Sequence, residues 1–308
     1  MSFGVLFPGQ GSQFVGMGED LFEKRSDLLG ERADNILGWS LRDLCLNGPE
    51  DDLTRTEHAQ PALFALSYAL WEELDQAGLG IPAGAAGHSL GEYTALTAAR
   101  ALDFDAALAL VAKRGSAMGA AADADPSGMA VLLGADVEIA QSIVVQRTND
   151  GGRLQVANIN APGQVVLAGG TADIEWVVDN ARGLGVRRAV PLKVAGAFHS
   201  EFMELARVDV AAALSHINVS ELIFPVWSNT TARPHSVELI PEVLARQVVS
   251  PVRFSESLLD MASAGIDTFV HVGPGDVTAG MAKRTVDGAI VHVISTLANV
   301  DDVIGTMT

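Results

Sequence analysis

The sequence carries a single cysteine, Cys45, among 308 residues. No internal disulfide can form, and no companion thiol is present to build a metal cage. Within Leu41-Arg42-Asp43-Leu44-Cys45-Leu46 it reads as a small buried hydrophobe rather than a nucleophile. Positive charge is scarce as well: 20 Lys and Arg stand against 38 Asp and Glu, a formal net charge of -18. The average surface therefore repels phosphates, which argues against nucleic acid as a partner. An anionic substrate or carrier would need a local basic patch. Arg182, Arg187 and Arg188, or Lys283 and Arg284, could supply one, or they are scattered solvated charges. Long hydrophobic runs are also missing. No stretch approaches the ~20 apolar residues of a membrane-spanning helix, and Met1-Ser2-Phe3-Gly4 has no basic region of the signal-peptide kind. A soluble, cytoplasmic protein is expected. Repeats and low-complexity segments are absent, apart from an alanine-rich patch near Gly119 to Ala124.

What is present describes a globular chain, 48% hydrophobic and 19% charged. Its length suits one large α/β domain with an insertion, or two domains. The pentapeptide Gly87-His88-Ser89-Leu90-Gly91 follows an apolar run, Ala83 to Ala86, and precedes a helix-like one, Leu90 to Arg100. A strand turning sharply into a helix with serine at the apex is the context of a nucleophile elbow. Two flanking glycines let the chain turn tightly while the serine backbone takes a strained conformation. The alanine-glycine strand counts against this reading, since its strand propensity is poor.

At the start, Phe3 to Phe7 reads as a strand entering Pro8-Gly9-Gln10-Gly11-Ser12-Gln13. Its glycines would let backbone N–H groups approach a substrate, or the loop is a plain turn; the P-loop spacing and its lysine are lacking. Apolar residues recur at helical spacing from Asp20 to Leu46 and from Pro61 to Leu74, with Pro61 in a first turn. Gln60, just ahead, either faces the site or ends a loop. A helix over Phe104 to Ala120, capped by Asp103, places Arg114 on the same stripe as Ala107, Val111 and Met118. An inward guanidinium needs an anion, either a structural carboxylate or one on a substrate. From Met129 to Val194 the elements follow β-α-β-β-α-β, the ferredoxin-like split pattern. They predict a small subdomain over 126–195 inserted into a core made of 1–125 and 196–308, with a cleft between the two. His199 lies at the exit from that insertion. His58, His216 and His235 stand in polar or turn surroundings and are expected on the surface, His271 and His292 alternate within strands and read as structural, and His88 should point away from Ser89. By elimination His199 is the candidate base, unless it is a packing histidine, and a pKa near the reference value of about 6.5 is expected for it.

Seven motifs in order, Phe7-Pro8-Gly9-Gln10-Gly11-Ser12-Gln13, Gln60-Pro61-Ala62, Gly87-His88-Ser89-Leu90-Gly91-Glu92, Lys113-Arg114-Gly115, Phe198-His199-Ser200, Ser228-Asn229-Thr230-Thr231 and Gly273-Pro274-Gly275, resemble the malonyl-CoA:acyl carrier protein transacylase family nearly end to end. The resemblance implies an α/β-hydrolase-like core with a ferredoxin-like insertion. It implies Ser89 as nucleophile and His199 as its base, with the backbone N–H groups of Gln10 and Leu90 as oxyanion hole. Arg114 would hold the malonyl carboxylate, with Gln60 nearby, and the backbone carbonyl of Gln247 would orient His199. Ala197-Phe198-His199 resembles the malonyl-selecting pattern, whereas selectors of the methyl-branched substrate usually have a small residue where Phe198 stands. No metal and no cofactor are implied. The partners would be malonyl-CoA and a phosphopantetheinylated acyl carrier protein, with no membrane, and the protein is expected as a monomer. Fatty-acid synthesis and the loading of polyketide carrier domains share every motif. A serine esterase or thioesterase would instead show an acidic partner for the histidine and no inward Arg.

Overall fold

The computed structural model describes residues 2–307. In chain order its strands are β1 Phe3–Phe7, β2 Gly84–Gly87, β3 Ser127–Leu133, β4 Leu154–Ala161, β5 Gln164–Gly170, β6 Arg188–Pro191, β7 Val226–Trp227, β8 Thr268–Val272 and β9 Ile290–Ile294. β1, β2 and β8 are buried at every position, as strands covered on both faces must be. They form a five-stranded sheet in the order β7-β2-β1-β8-β9, with every pairing parallel. The weak strand propensity of Gly84-Ala85-Ala86-Gly87 is overridden because β2 pairs along both edges, with β1 and β7.

The other four strands form a separate antiparallel sheet in the order β4-β5-β3-β6. Helices Val137–Asn149 and Thr171–Asn180 connect them, giving the βαββαβ unit its own core of Leu132, Ile143, Leu167 and Val177. Its edge is fastened to the larger sheet's layer: Val252 N–H donates to Ala157 O and Ile159 N–H to Val252 O. The register of β4 against β5 shifts between Val156 and Asn158 and between Ile159 and Ala161, and Asn158 and Asn160 of this irregular stretch line the cleft. The fold is therefore α/β, a parallel hydrolase-like core carrying a ferredoxin-like insertion.

Helix Phe104–Ala124 starts as expected, with the Asp103 carboxylate accepting from the N–H groups of Asp105 and Ala106. Three expectations need correction. The stretch Asp20 to Leu46 is four short helices, Leu21–Lys24, Ser26–Leu29, Glu31–Leu37 and Leu41–Asn47, broken at Arg25, Gly30 and Gly38-Trp39-Ser40. Pro61 is not in a first turn: its helix begins at Thr56 and runs to Gln76, so Gln60 belongs to the helix and not to a loop. The last strand of the insertion, expected to run on to Val194, ends at Pro191, because a proline cannot donate to a ladder.

Candidate active site

The elbow forms where β2 meets helix Gly91–Ala98. Ser89 takes φ 51, a left-handed conformation that an L-residue holds only when its surroundings impose it. A Cβ at Gly87 would fall 1.9 Å from the Gly91 backbone, and one at Gly91 would fall 2.3 Å from Phe7 O. Neither position admits a side chain without moving the strand. The Asn229 side chain fastens the turn from the other side, accepting from Ser89 N–H at 2.7 Å and donating to Gly87 O at 2.7 Å. His88 was expected to point away from the serine, but it also borders the cavity and hydrogen-bonds Asn160 of β4 at 2.8 Å. Strict alternation holds only for extended backbone, and Ser89 is not extended.

His199, also at positive φ, brings Nε2 to 2.7 Å from Ser89 Oγ. Its Nδ1 lies 2.9 Å from the Gln247 carbonyl oxygen. A carbonyl can only accept, so Nδ1 carries the proton and Nε2 is left to accept from the serine hydroxyl. The sequence predicted an ordinary imidazole pKa. Burial, with the positive charge of Arg114 adding to it, instead pushes His199 down to about 3. The imidazole is neutral throughout the physiological range.

Arg114 is 1% exposed. Its Nη1 donates to Gln60 Oε1, and its Nη2 donates to Gln247 Oε1 at 2.9 Å and to Ser89 Oγ at 3.1 Å. The guanidinium also lies 5.3 Å from the centre of the Tyr93 ring. Of the two anions left open by the sequence, the structural one is missing. Arg114 enters none of the ion pairs among the described residues; it is surrounded by neutral amides beside the Ser89 hydroxyl.

A cavity of about 380 Å³ opens in front of these groups, between the two sheets. Gln10, Gln60, Ser89, Leu90, Arg114, Phe198 and His199 line it from the core, and Met129, Asn160, Gln164, Val166 and Leu192 from the insertion. The backbone N–H groups of Gln10 and Leu90 make no hydrogen bond among the described residues, whereas the neighbouring Ser89 and Gly91 N–H groups are taken by Asn229 and His88 O. Cys45 lies in the core, its thiol pushed up to about 12 by burial.

Sequence reasoning missed a second layer. Glu92 is fully buried and accepts from His235 Nε2 at 2.7 Å, Gln247 Nε2 at 2.7 Å and Asn229 N–H at 3.1 Å. His235, expected on the surface, has a side chain only 1% exposed, because this carboxylate draws it inward. Glutamate as the one charged residue of the helix Gly91–Ala98 was the available signal.

Residues 5–308 match the acyl transferase domain family. The chain belongs to that family. It is 41% identical over 282 residues to a malonyl CoA-acyl carrier protein transacylase of Bacillus subtilis (strain 168), covering 91% of this chain and 89% of the relative. It is 40% identical over 280 residues to a polyketide biosynthesis malonyl CoA-acyl carrier protein transacylase, BaeC, of Bacillus velezensis, covering 91% of this chain and 95% of the relative. Among solved acyltransferase structures, that of MCAT from Streptococcus pneumoniae superposes with a TM-score of 0.92 at 37% identity, covering 99% of this chain and all of the other.

Proposed function

We propose that this acyltransferase moves a malonyl group from malonyl-CoA to the phosphopantetheine thiol of an acyl carrier protein, through a malonyl ester on Ser89. The observation that carries this reading is the Arg114 guanidinium, buried without a carboxylate partner and 3.1 Å from the Ser89 hydroxyl oxygen. Its planar fork matches a carboxylate, and a malonyl group carries one two carbons from the thioester carbonyl.

In the first half-reaction the Ser89 hydroxyl passes its proton to His199 Nε2 as Oγ attacks the thioester carbonyl carbon. The carbonyl electron pair moves onto oxygen, where the free N–H groups of Gln10 and Leu90 receive it. Collapse breaks the C–S bond, and the CoA sulfur leaves with the proton from His199. In the second half the carrier thiol gives its proton to His199 and its sulfur attacks the malonyl ester. Ser89 then leaves and takes the proton back. A backbone carbonyl behind His199 fixes the tautomer without adding a negative charge next to an anionic acyl group. Gln60 and Gln247 hold the guanidinium toward the cavity.

Fatty-acid synthesis is the pathway we assign. Loading of polyketide carrier domains is the second reading, favoured by the polyketide relative, whose 40% identity barely differs from the 41% of the other. We place the enzyme in the cytoplasm; among the described residues no helix is long and apolar enough to cross a membrane. Intact mass after mixing with malonyl-CoA tests the reaction: one malonyl group on the protein, discharged by adding carrier protein, is expected. A protein whose mass does not change sinks the reading, and parallel discharge rates onto fatty-acid and polyketide carriers decide between the pathways.

A further inference from the structure

The Gln247 side chain has a fully determined orientation. Its Nε2 group donates one hydrogen to Ser89 O at 2.9 Å and the other to Glu92 Oε2 at 2.7 Å, while Oε1 accepts from Arg114 Nη2 at 2.9 Å. Turned end for end, the amide would set N–H against the N–H groups of Arg114, and oxygen against a carboxylate and a carbonyl. Glu92 is what makes the choice decisive. It is fully buried, and its other oxygen is engaged by His235. A buried carboxylate in direct contact with Arg114 would compete with any substrate carboxylate. Here the negative charge stands one amide away, so it favours the buried guanidinium without occupying the fork.

We propose that Glu92 is a positioning residue for acyl-group recognition: acting through the Gln247 amide, it keeps the Arg114 guanidinium charged, oriented and open toward the cavity. The inference deepens the malonyl-transfer reading and rests on it. Replacing Glu92 by the isosteric Gln keeps the volume but removes the buried charge behind the Gln247 amide, leaving only the Ser89 carbonyl and Arg114 itself to hold its orientation.

The test compares Glu92→Gln with the unaltered enzyme, measuring kcat and KM for malonyl-CoA and acetyl-CoA. A charge-assisted hydrogen bond lost or reversed should lower kcat/KM for malonyl-CoA roughly ten- to a hundredfold, mostly through KM. Acetyl-CoA, lacking the carboxylate, should lose much less. Equal losses for the two substrates would make Glu92 a structural carboxylate and overturn the proposal, as would no loss for either. If Glu92→Gln does not fold, Gln247→Met keeps the backbone carbonyl to His199 and removes only the amide; it must show the same split, and an equal loss there also overturns the proposal. Should the unaltered protein take no malonyl group from malonyl-CoA, the malonyl reading itself falls and takes this inference with it.

Discussion

On the core side of the cavity, Ser89, His199, Arg114, Gln60 and Gln247 form one connected set of hydrogen bonds, whereas on the insertion side Gln164 leaves its Oε1 unpartnered among Met129, Val166 and Leu192. The core wall is preorganised: its charges and donors are aimed before any substrate arrives, which is what electrostatic stabilisation of a reacting group requires. The insertion wall alternates apolar side chains, Met129, Val166, Leu192 and Val194, with polar ones, Asn158, Asn160, Gln164 and Lys193, and is not tied into the hydrogen-bond set of Ser89 and Arg114. A substitution in the core wall should therefore change the chemistry or the reading of the substrate carboxylate, and one at the boundary between the walls should change only which acyl group fits.

The largest effect should come from the centre of the core wall. Ser89→Ala is expected to abolish malonyl transfer to the protein and lower turnover by roughly 10⁴-fold or more, as loss of a nucleophile does elsewhere. Mass spectrometry of the variant mixed with malonyl-CoA checks it. A malonyl adduct on Ser89→Ala would mean that the preorganised wall serves some other group.

Next comes Arg114→Ala. Removing a charge-assisted fork should cost roughly ten- to a hundredfold in kcat/KM for malonyl-CoA. Acetyl-CoA should lose far less or gain. If the two fall together, Arg114 supports the wall and reads nothing, and the contrast between the two walls loses its main term.

The two layers of this site were unequally legible in the sequence. Ser89 was readable because an elbow is local: strand, glycine, serine, glycine and helix stand within a dozen residues. The inward face of Arg114 followed from helical spacing, and the βαββαβ order from alternating patterns with clear turns. Asn229, Gln247, Glu92 and His235 were not readable as a unit, because their contacts join segments 137 to 158 residues apart. Polar residues in turns ordinarily read as solvated, and His235 was misread for that reason. Its burial depends on a carboxylate 143 residues earlier, which no periodicity reveals. The four short helices of Leu21–Asn47 were misread for the opposite reason: the apolar spacing was right, but the breaks interrupt it without changing its period.

A smaller effect is expected where the walls meet. Phe198 is 6% exposed, packs into the core and lines the cavity just ahead of His199. A methyl group on malonyl C2 would compete with its ring for space, and one such group discriminates by roughly tenfold or somewhat more. Phe198→Ser should therefore raise the methylmalonyl-CoA to malonyl-CoA ratio of kcat/KM by about tenfold. An unchanged ratio with both rates intact would leave Phe198 as packing alone.

The smallest expected change is an absence of pH dependence. An exposed-type imidazole with a pKa of about 6.5 would be only about one-tenth neutral at pH 5.5, and kcat/KM, which reports the free enzyme, would fall about tenfold from its plateau. His199 is held at about 3 by burial and by Arg114, so kcat/KM for malonyl-CoA should stay nearly flat from pH 8 down to about 5.5. Stability, unlike kcat/KM, should depend on pH over this range. A histidine depressed in the folded state is protonated preferentially on unfolding, so stability is fully present above about pH 6.5 and is lost as pH falls toward 3. His271, pushed down to about 4 by burial, and His88, also lowered by burial, add to the same loss, so the unfolding profile reports all three residues and only the kinetic profile isolates His199. Arg114→Ala supplies the discriminating measurement. Without the guanidinium's positive charge the His199 pKa should rise, and the acid limb of kcat/KM for acetyl-CoA should move to higher pH. A wild-type limb centred near 6.5 that Arg114→Ala leaves in place would show that the core wall admits water to its base and is not the dry, preorganised surface described.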